Sequence, residues 1–274
     1  MLSGALVALA AAPSARADSV QSSNWAGYAV HGSGLRFQTV VGTWRQPMAV
    51  CNGAGPTYSS VWVGIGGFNL NSRALEQIGS EVDCSATGQV LSTAWYELVP
   101  APSRPIRMRV DPGDWLSASV VVRGHQTTLA LHDLTRRVSF TRHIRARLLD
   151  VSSADWIVEA PSECSTAGSC LTLSLADFGT ASFTSARATP VSGRPGSISD
   201  RRWSLTRITL GGGARHFIGG PAPGPQAAPS PLTAGGSAFS VTYQGAPSAT
   251  TSNPTQAALA AAGRLRLGGA RLAR

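Results

Sequence analysis

Two glutamates, a glutamine and two tryptophans lie on segments with the composition of β-strands, and they could form a polar groove with aromatic walls. Side chains alternate between the two faces of a strand, so Trp95 and Glu97 share one face of residues 93–99. A curved sheet could present all five side chains together: Trp62, Gln77, Trp95, Glu97 and Glu159. Two carboxyl groups beside tryptophans, which stack on sugar rings, would suit a glycoside hydrolase that uses Glu97 and Glu159 as acid and nucleophile.

Other common catalytic patterns are missing from the sequence. The five histidines form neither an H-x-H nor an H-E-x-x-H pattern, so we expect no metal site and no cofactor. No serine lies in a G-x-S-x-G turn, which argues against a serine nucleophile of the hydrolase type.

Short strand-like segments follow one another from residue 24 to residue 183. They are rich in β-branched and aromatic residues, and they end at Gly or Pro, as residues 36–44 do before Pro47. Further strands are predicted at residues 203–210 and 239–243. Helical periodicity is scarce, so the sequence predicts an all-β sandwich or barrel.

The chain of 274 residues suits one large all-β domain, and we expect it to span residues 18–245. Residues 1–17 resemble a signal peptide, because an apolar stretch precedes an A-x-A cleavage site, and this predicts an exported, extracellular protein. A disordered Ala-rich arm is the alternative. Residues 246–274 are rich in Ala and Arg and are expected to be a flexible tail, or an anchor to an anionic surface. No apolar run reaches the roughly 20 residues of a membrane-spanning helix.

Four cysteines fit an exported protein with two disulfides, although four cysteines allow three pairings. Cys164 and Cys170 enclose a small loop and are the first pair that we expect, which leaves Cys51 and Cys84 as the second. Free thiols or a zinc site are the alternatives, but C-x-x-C spacings and nearby histidines are missing.

The chain carries a formal charge of +9, and all 23 of its basic side chains are arginines. The arginines are spread along the sequence, with local density only around residues 136–147 and in the tail. No basic motif interleaved with aromatic residues accompanies them, so we expect no nucleic-acid partner. A basic surface could still favour acidic substrates or anionic cell-wall polymers.

Six motifs in order make residues 23–183 resemble the glutamic peptidases, or eqolisins. The first is Ser23-Asn24-Trp25-Ala26-Gly27, and the second, residues 62–67, is similar to the W-V-G-I-D-G segment of that family. Gln77 in residues 75–79 falls where the family has its catalytic glutamine, and residues 94–97 match an A-W-Y-E run. Residues 156–159, followed by Pro161, match the segment of the catalytic glutamate. Residues 164–170, the sixth motif, resemble the small disulfide loop of the family. Residues 176–179 also fit a segment that is common in these proteins.

This resemblance implies a two-sheet antiparallel β-sandwich of the concanavalin A-like jelly-roll type, with the site on its concave face. It implies that Glu159 acts as general base and later as general acid, and that Gln77 positions the water and stabilises the oxyanion. Trp62, Trp95 and Glu97 would line the substrate cleft. The expected protein is a monomeric, acid-active endopeptidase that hydrolyses polypeptides without a metal.

Two positions depart from the family pattern. Gly66 stands where the family usually has Asp, so one carboxylate near the site is missing. Glu76 stands where an apolar residue is usual. The loss at position 66 keeps open a third function, that of a non-catalytic module that binds carbohydrate or peptide.

Overall fold

The computed structural model describes residues 18–164, 170–211 and 226–245, apart from the side chain of Cys164. Within these residues the fold contains eighteen β-strands and one short 3₁₀-helix, Ala234–Gly236. The strands are β1 (Asp18–Ser22), β2 (Trp25–His31), β3 (Phe37–Arg45), β4 (Ser60–Gly66), β5 (Leu75–Cys84), β6 (Val90–Val99), β7 (Arg104–Ile106), β8 (Trp115–Arg123), β9 (Gln126–Asp133), β10 (Val138–Arg145), β11 (Ser153–Glu159), β12 (Ser162–Cys164), β13 (Cys170–Thr172), β14 (Thr180–Pro190), β15 (Gly196–Ser197), β16 (Ser204–Leu210), β17 (Gln226–Pro229) and β18 (Phe239–Gly245).

The strands form two layers that are joined through β17. The first layer has the order β10-β9-β8-β3-β14-β18, and the second has the order β16-β2-β11-β4-β5-β6-β7. Strand β17 pairs with β18 of the first layer and with β16 of the second. Strands β3, β8, β9 and β14 lie against β4, β5 and β11, which confirms the predicted β-sandwich.

The main core fills the space between the layers, because alternate side chains of facing strands point inward. It contains Trp44 and Phe183 from the first layer and Val63 and Trp156 from the second. Two hydrogen bonds cross the space: Trp44 Nε1 donates to Ser80 Oγ over 3.0 Å, and Trp156 Nε1 donates to the carbonyl oxygen of Val41 over 2.8 Å. Both buried indoles are therefore satisfied.

A second, smaller cluster lies on the opposite face of the second layer, away from the main core. It consists of buried side chains from β2, β4, β5, β6, β11 and β16 and the loop after β4: Trp25, Ala29, Trp62, Phe68, Leu75, Trp95, Ile157 and Ile208. Side chains two residues apart on a strand lie on the same face. Gln77 therefore lies on the same face as Leu75, Glu97 on the same face as Trp95, and Glu159 on the same face as Ile157. The fold thus brings these three polar side chains to one surface of the second layer.

The predicted disulfide between Cys51 and Cys84 is confirmed. It ties the loop after β3 to the end of β5, next to the second layer. Cys170 is also disulfide-bonded, and its backbone lies opposite that of Cys164 in the antiparallel pairing of β12 and β13. The side chain of Cys164 lies outside the described residues, so this second pairing stays a prediction.

The proposed signal peptide and tail, residues 1–17 and 246–274, also lie outside the described residues. Within the part of the chain that the structure describes, no helix is long and apolar enough to cross a membrane.

Candidate active site

Four neighbouring strands, in the order β11-β4-β5-β6, position the candidate catalytic side chains. The register sets Gln77 directly opposite Glu97 and opposite Gly64, while Glu159 is opposite Ser60 and Trp25. Directly opposed residues have Cβ atoms about 4.5–5.5 Å apart. The sheet pairing therefore brings residues that are distant in sequence to one surface.

Glu159 is held by nitrogen donors from two different strand regions. Trp62 Nε1 donates to its Oε2 over 2.8 Å, and Asn24 Nδ2 approaches its Oε1 at 3.3 Å. The indole of Trp25 also lies close enough to this carboxylate to favour its ionised form. Only 8% of Glu159 is exposed, so these donors fix the orientation of a largely buried carboxylate.

The pKa of Glu159 is set by opposing influences. Burial raises it most, because a buried carboxylate loses its hydration, and the charge of Glu97 raises it further. The donors from Trp25, Trp62 and Asn24 favour the ionised form and lower it. Burial prevails, and the pKa of Glu159 is raised to about 8.

Gln77 and Glu97 form a short hydrogen bond across β5 and β6. Gln77 Nε2 donates to Glu97 Oε2 over 2.6 Å. A primary amide has two N–H groups, so this bond orients the amide and leaves the second N–H for another acceptor. Burial raises the pKa of Glu97, and the bond from Gln77 and the backbone of Ser103 oppose that rise.

Two glycines make room for the Trp62 ring beneath this surface. A Cβ atom at Gly64 would lie 2.9 Å from Trp62 Cζ3, and one at Gly79 would lie 2.6 Å from Trp62 Cβ. Trp62 also packs edge-on against Trp25, with ring centroids 4.9 Å apart. These neighbours fix the indole whose N–H holds Glu159.

A cleft of about 760 Å³ lies over these side chains. Gln77, Trp95, Glu97 and Glu159 line it, and residues 99–103 form part of its wall. Two buried polar atoms of its lining have no hydrogen-bond partner among the described residues: the donor Trp95 Nε1 and the acceptor Gln77 Oε1. Buried polar groups are usually paired, and a bound peptide group, with one N–H and one C=O, would satisfy both.

The described lining of the cleft is acidic and carries no arginine or histidine. It contains five carboxyl groups: Glu81, Asp83, Glu97, Glu159 and Glu163. Burial and the neighbouring charge of Glu81 raise the pKa of Asp83 to about 7, and burial also raises the pKa of Glu81. A cleft of this kind stands in contrast to the formal charge of +9 on the whole chain.

The structure brings four of the five sequence-predicted residues to the cleft and places the fifth beneath it. Trp62 is completely buried, so it contributes a hydrogen bond to Glu159 rather than a surface for substrate. Sequence reasoning gave no role to Asn24 and Trp25, although both lie in the first motif that carried the family resemblance. Their contact with Glu159 depends on the β2–β11 register, which no local pattern predicts.

A carboxylate does lie beside Gly66, but it comes from another segment. A Cβ atom at Gly66 would lie 2.7 Å from Cβ of Asp150, so a larger residue would displace that aspartate. Asp150 accepts hydrogen bonds from the backbone of Gly67 and Ser152 and from Ser72 Oγ. These bonds hold the pKa of Asp150 below its ordinary value.

No group of three or more His, Cys, Asp or Glu side chains among the described residues is arranged to hold a metal ion. The carboxyl and amide groups of the site have chemistry of their own. A carboxylate can accept a proton from water, and an amide N–H can stabilise a developing oxyanion.

Comparison with solved structures gives a matching fold. A scytalidoglutamic peptidase with a peptide-based transition-state analogue superimposes with a TM-score of 0.65 at 23% identity, covering 81% of this chain and 98% of that one. An eqolisin in complex with the tripeptide Ala-Ile-His gives 0.61 at 22%, with coverages of 81% and 98%. The aspergilloglutamic peptidase from Aspergillus niger gives 0.53 at 26%, covering 69% of this chain and 99% of that one.

Comparison with curated proteins gives no match. At the level of sequence families, residues 23–211 match the Peptidase A4 family, and this span includes every candidate catalytic residue described above. The chain belongs to the Peptidase A4 family, the eqolisins.

Proposed function

We propose that this peptidase is an exported endopeptidase in which Glu159 and Gln77 activate a water molecule to cleave a peptide bond. The observation that carries the proposal is the shared cleft: an ionisable carboxyl held by two nitrogen donors and an oriented amide line the same cavity. The named relatives are glutamic peptidases, one of them solved with a transition-state analogue and another with a tripeptide.

In the proposed mechanism, ionised Glu159 takes a proton from water as the water oxygen attacks the carbonyl carbon of the substrate. The carbonyl oxygen becomes an oxyanion and accepts a hydrogen bond from the second N–H of Gln77. Protonated Glu159 then gives its proton to the leaving nitrogen, the C–N bond breaks, and the carboxylate is regenerated. Glu97 acts as a positioning residue, because its bond fixes the amide of Gln77 before substrate binds.

The substrate is held as an extended polypeptide along the cleft. Trp95 Nε1 would donate to a substrate carbonyl and Gln77 Oε1 would accept from a substrate N–H before the reaction, which gives both buried atoms a partner. The tryptophan ring, 7% exposed, offers only its rim to the substrate.

The geometry of the site does not favour the activity in acid that the family resemblance implied. A glutamate near its ordinary pKa would be a base in acid, but burial raises the pKa of Glu159 to about 8. The ionised base becomes more abundant as pH rises, so we expect kcat/KM to increase across the acid and neutral range. An acidic limb with an apparent pKa near 4 would contradict this expectation.

Export belongs to the same proposal. Disulfides form and persist mainly in oxidising compartments, and both Cys51 and Cys84 are bonded to each other in this protein. Expression with residues 1–17 in a secreting host should give mature protein in the medium that begins near Asp18, as N-terminal sequencing would show.

The test of the catalytic pair is casein digestion by Glu159→Gln and Gln77→Ala. We expect losses in kcat of about 10²–10⁴ for the base and about 10²–10³ for the oxyanion donor. Activity of the wild type should persist in EDTA. Asp18→Asn and Gln126→Ala are controls, since the first is an exposed carboxylate outside the cleft lining and the second an exposed strand glutamine. Full activity of either catalytic variant would refute the assignment.

A further inference from the structure

The outer face of the first layer carries exposed arginines that have no ion-pair partner within the described part of the chain. On strands β8, β9 and β10, the register places Arg123 opposite Gln126 and Gln126 opposite Arg145, so the three residues form one row. His143 lies opposite Thr128 in the next row on this face. Arg123 and Arg145 form no salt bridge among the described residues, and both are exposed.

Negative charge is almost absent from this part of the chain. Residues 115–149 contain six arginines and a single acidic residue, Asp133. Asp133 is buried and pairs with Arg136 rather than lying on the outer face. Strands β3 and β14, which continue the layer, contain no acidic residue either. Of these arginines, strand alternation places Arg123 and Arg145 on the outer face, which carries positive charge and no carboxylate on these strands.

The two sides of the sandwich thus carry opposite kinds of ionisable group. The described lining of the cleft has five carboxyl groups and no arginine or histidine, while the outer face of the first layer has arginines and no carboxylate. A polyanion would be repelled by ionised groups of the cleft and attracted by this outer face. Binding there would leave the cleft open to substrate.

The spacing of the row suits a repeating anionic chain. Neighbouring strands lie about 4.8 Å apart, so the Cα atoms of Arg123 and Arg145, two strands apart, are separated by about 10 Å. Each guanidinium could therefore contact a different anionic group. Between them, the amide of Gln126 can donate to an oxygen of the chain. A shallow cavity lined by Val121, Arg123, Gln126 and Thr128 opens beside the row.

We propose that this face binds an acidic polysaccharide, and that Arg123 and Arg145 are its main cationic contacts. A polysaccharide fits better than a nucleic acid, because Trp115 is the only exposed aromatic residue among strands β8, β9 and β10 and single-stranded nucleic acids are usually bound by several stacking aromatics. The row offers guanidinium and amide donors, which suit sulfate or carboxylate groups and sugar hydroxyls.

The experiment compares two double variants that remove the same charge from opposite ends of the hydrogen-bonded strand order. Arg123→Gln/Arg145→Gln alters the proposed row, while Arg104→Gln/Arg107→Gln alters exposed arginines in and beside β7. Binding of full-length protein to heparin, to polygalacturonate, to neutral dextran and to duplex DNA is measured by titration over a range of salt concentrations.

We expect the wild type to bind heparin and polygalacturonate but not dextran, with affinity that falls as salt rises. Arg123→Gln/Arg145→Gln should weaken binding by about tenfold or more, and the control pair by less than threefold. Cleavage of an uncharged soluble peptide should stay the same in both variants, so the outcome is independent of the catalytic proposal. Equal weakening by the two variants, or tighter binding of DNA than of either polysaccharide, would overturn the inference.

Discussion

Replacing Glu76 with glutamine should make the fold more stable at neutral pH and leave it unchanged in acid. Glu76 lies on β5 and faces the main core, on the side opposite Gln77, and it is completely buried. Backbone groups of Asp150 and of Glu76 itself approach its carboxyl group, but neither oxygen reaches hydrogen-bond geometry with a described residue. Burial, together with the charge of Asp150, raises the pKa of Glu76 from 4.5 to about 9.

The sign follows from proton binding. Between pH 4.5 and 9 the folded protein keeps the proton on Glu76 and the unfolded chain releases it, so stability falls as pH rises. Each pH unit above 4.5 costs about 1.4 kcal/mol, which gives about 3 kcal/mol at pH 7. For a domain of this size that corresponds to roughly 7–14 °C in melting temperature. Glutamine removes the ionisation and keeps nearly the same volume.

Thermal unfolding of the wild type and Glu76→Gln at pH 4.5 and pH 7 measures this effect. The two proteins should melt at similar temperatures at pH 4.5, and the variant should melt roughly 10 °C higher at pH 7. Other buried carboxyl groups cancel in the comparison. Glu163→Gln, which changes an exposed glutamate, should show no such difference. A melting-temperature gap that is equal at both pH values would refute the argument.

Two further predictions concern the orientation and ionisation of Glu159. Gly64→Ala should displace the Trp62 ring, so that Glu159 loses a hydrogen-bond donor. We expect kcat to fall by about tenfold to a hundredfold with little change in KM. The acidic limb of the pH profile should move to higher pH, because the lost donor favoured ionised Glu159. Gly42→Ala is the matched control, since its Cβ would lie 2.9 Å from Trp156 Cδ1 in the main core; it should lower the melting temperature but keep the pH profile. Glu97→Gln should move the acidic limb downward, because it removes the charge that raises the pKa of Glu159, and an unchanged limb would show that the two carboxyl groups do not interact.

The strand pattern of the sequence predicted most of the fold. The segments at residues 60–65, 115–122 and 203–210 correspond to β4, β8 and β16. Runs of β-branched and apolar residues between Gly and Pro turns are typical of β-strands. The short strands β1 and β17 were not predicted. They have little periodicity of their own, and pairing with β16 and β18 gives them their conformation.

The sequence predicted most of the side chains that line the cleft, but it did not predict the hydrogen bonds between them. Strand alternation places Gln77, Glu97 and Glu159 on polar faces, yet the choice of bonding partners depends on register between strands that are far apart in sequence. The contacts of Asn24 and Trp25 with Glu159 arise from one such pairing. The burial that raises the pKa of Glu159 is likewise a property of the assembled sheet, and it alters the pH range expected from an isolated glutamate.

The buried carboxyl groups Glu76 and Glu159 differ in the hydrogen-bond donors that surround them. Replacing each by glutamine should therefore have a different effect on the stability of the fold. Glu76 accepts no hydrogen bond from the described residues, so a neutral amide replaces it without losing one. Glu159 accepts hydrogen bonds from Asn24 and Trp62, and a glutamine there would turn an NH₂ group toward one of these donors. Glu159→Gln should therefore lack the stability gain of Glu76→Gln at neutral pH, because the two donors are arranged for a carboxylate and one of them would lose its partner.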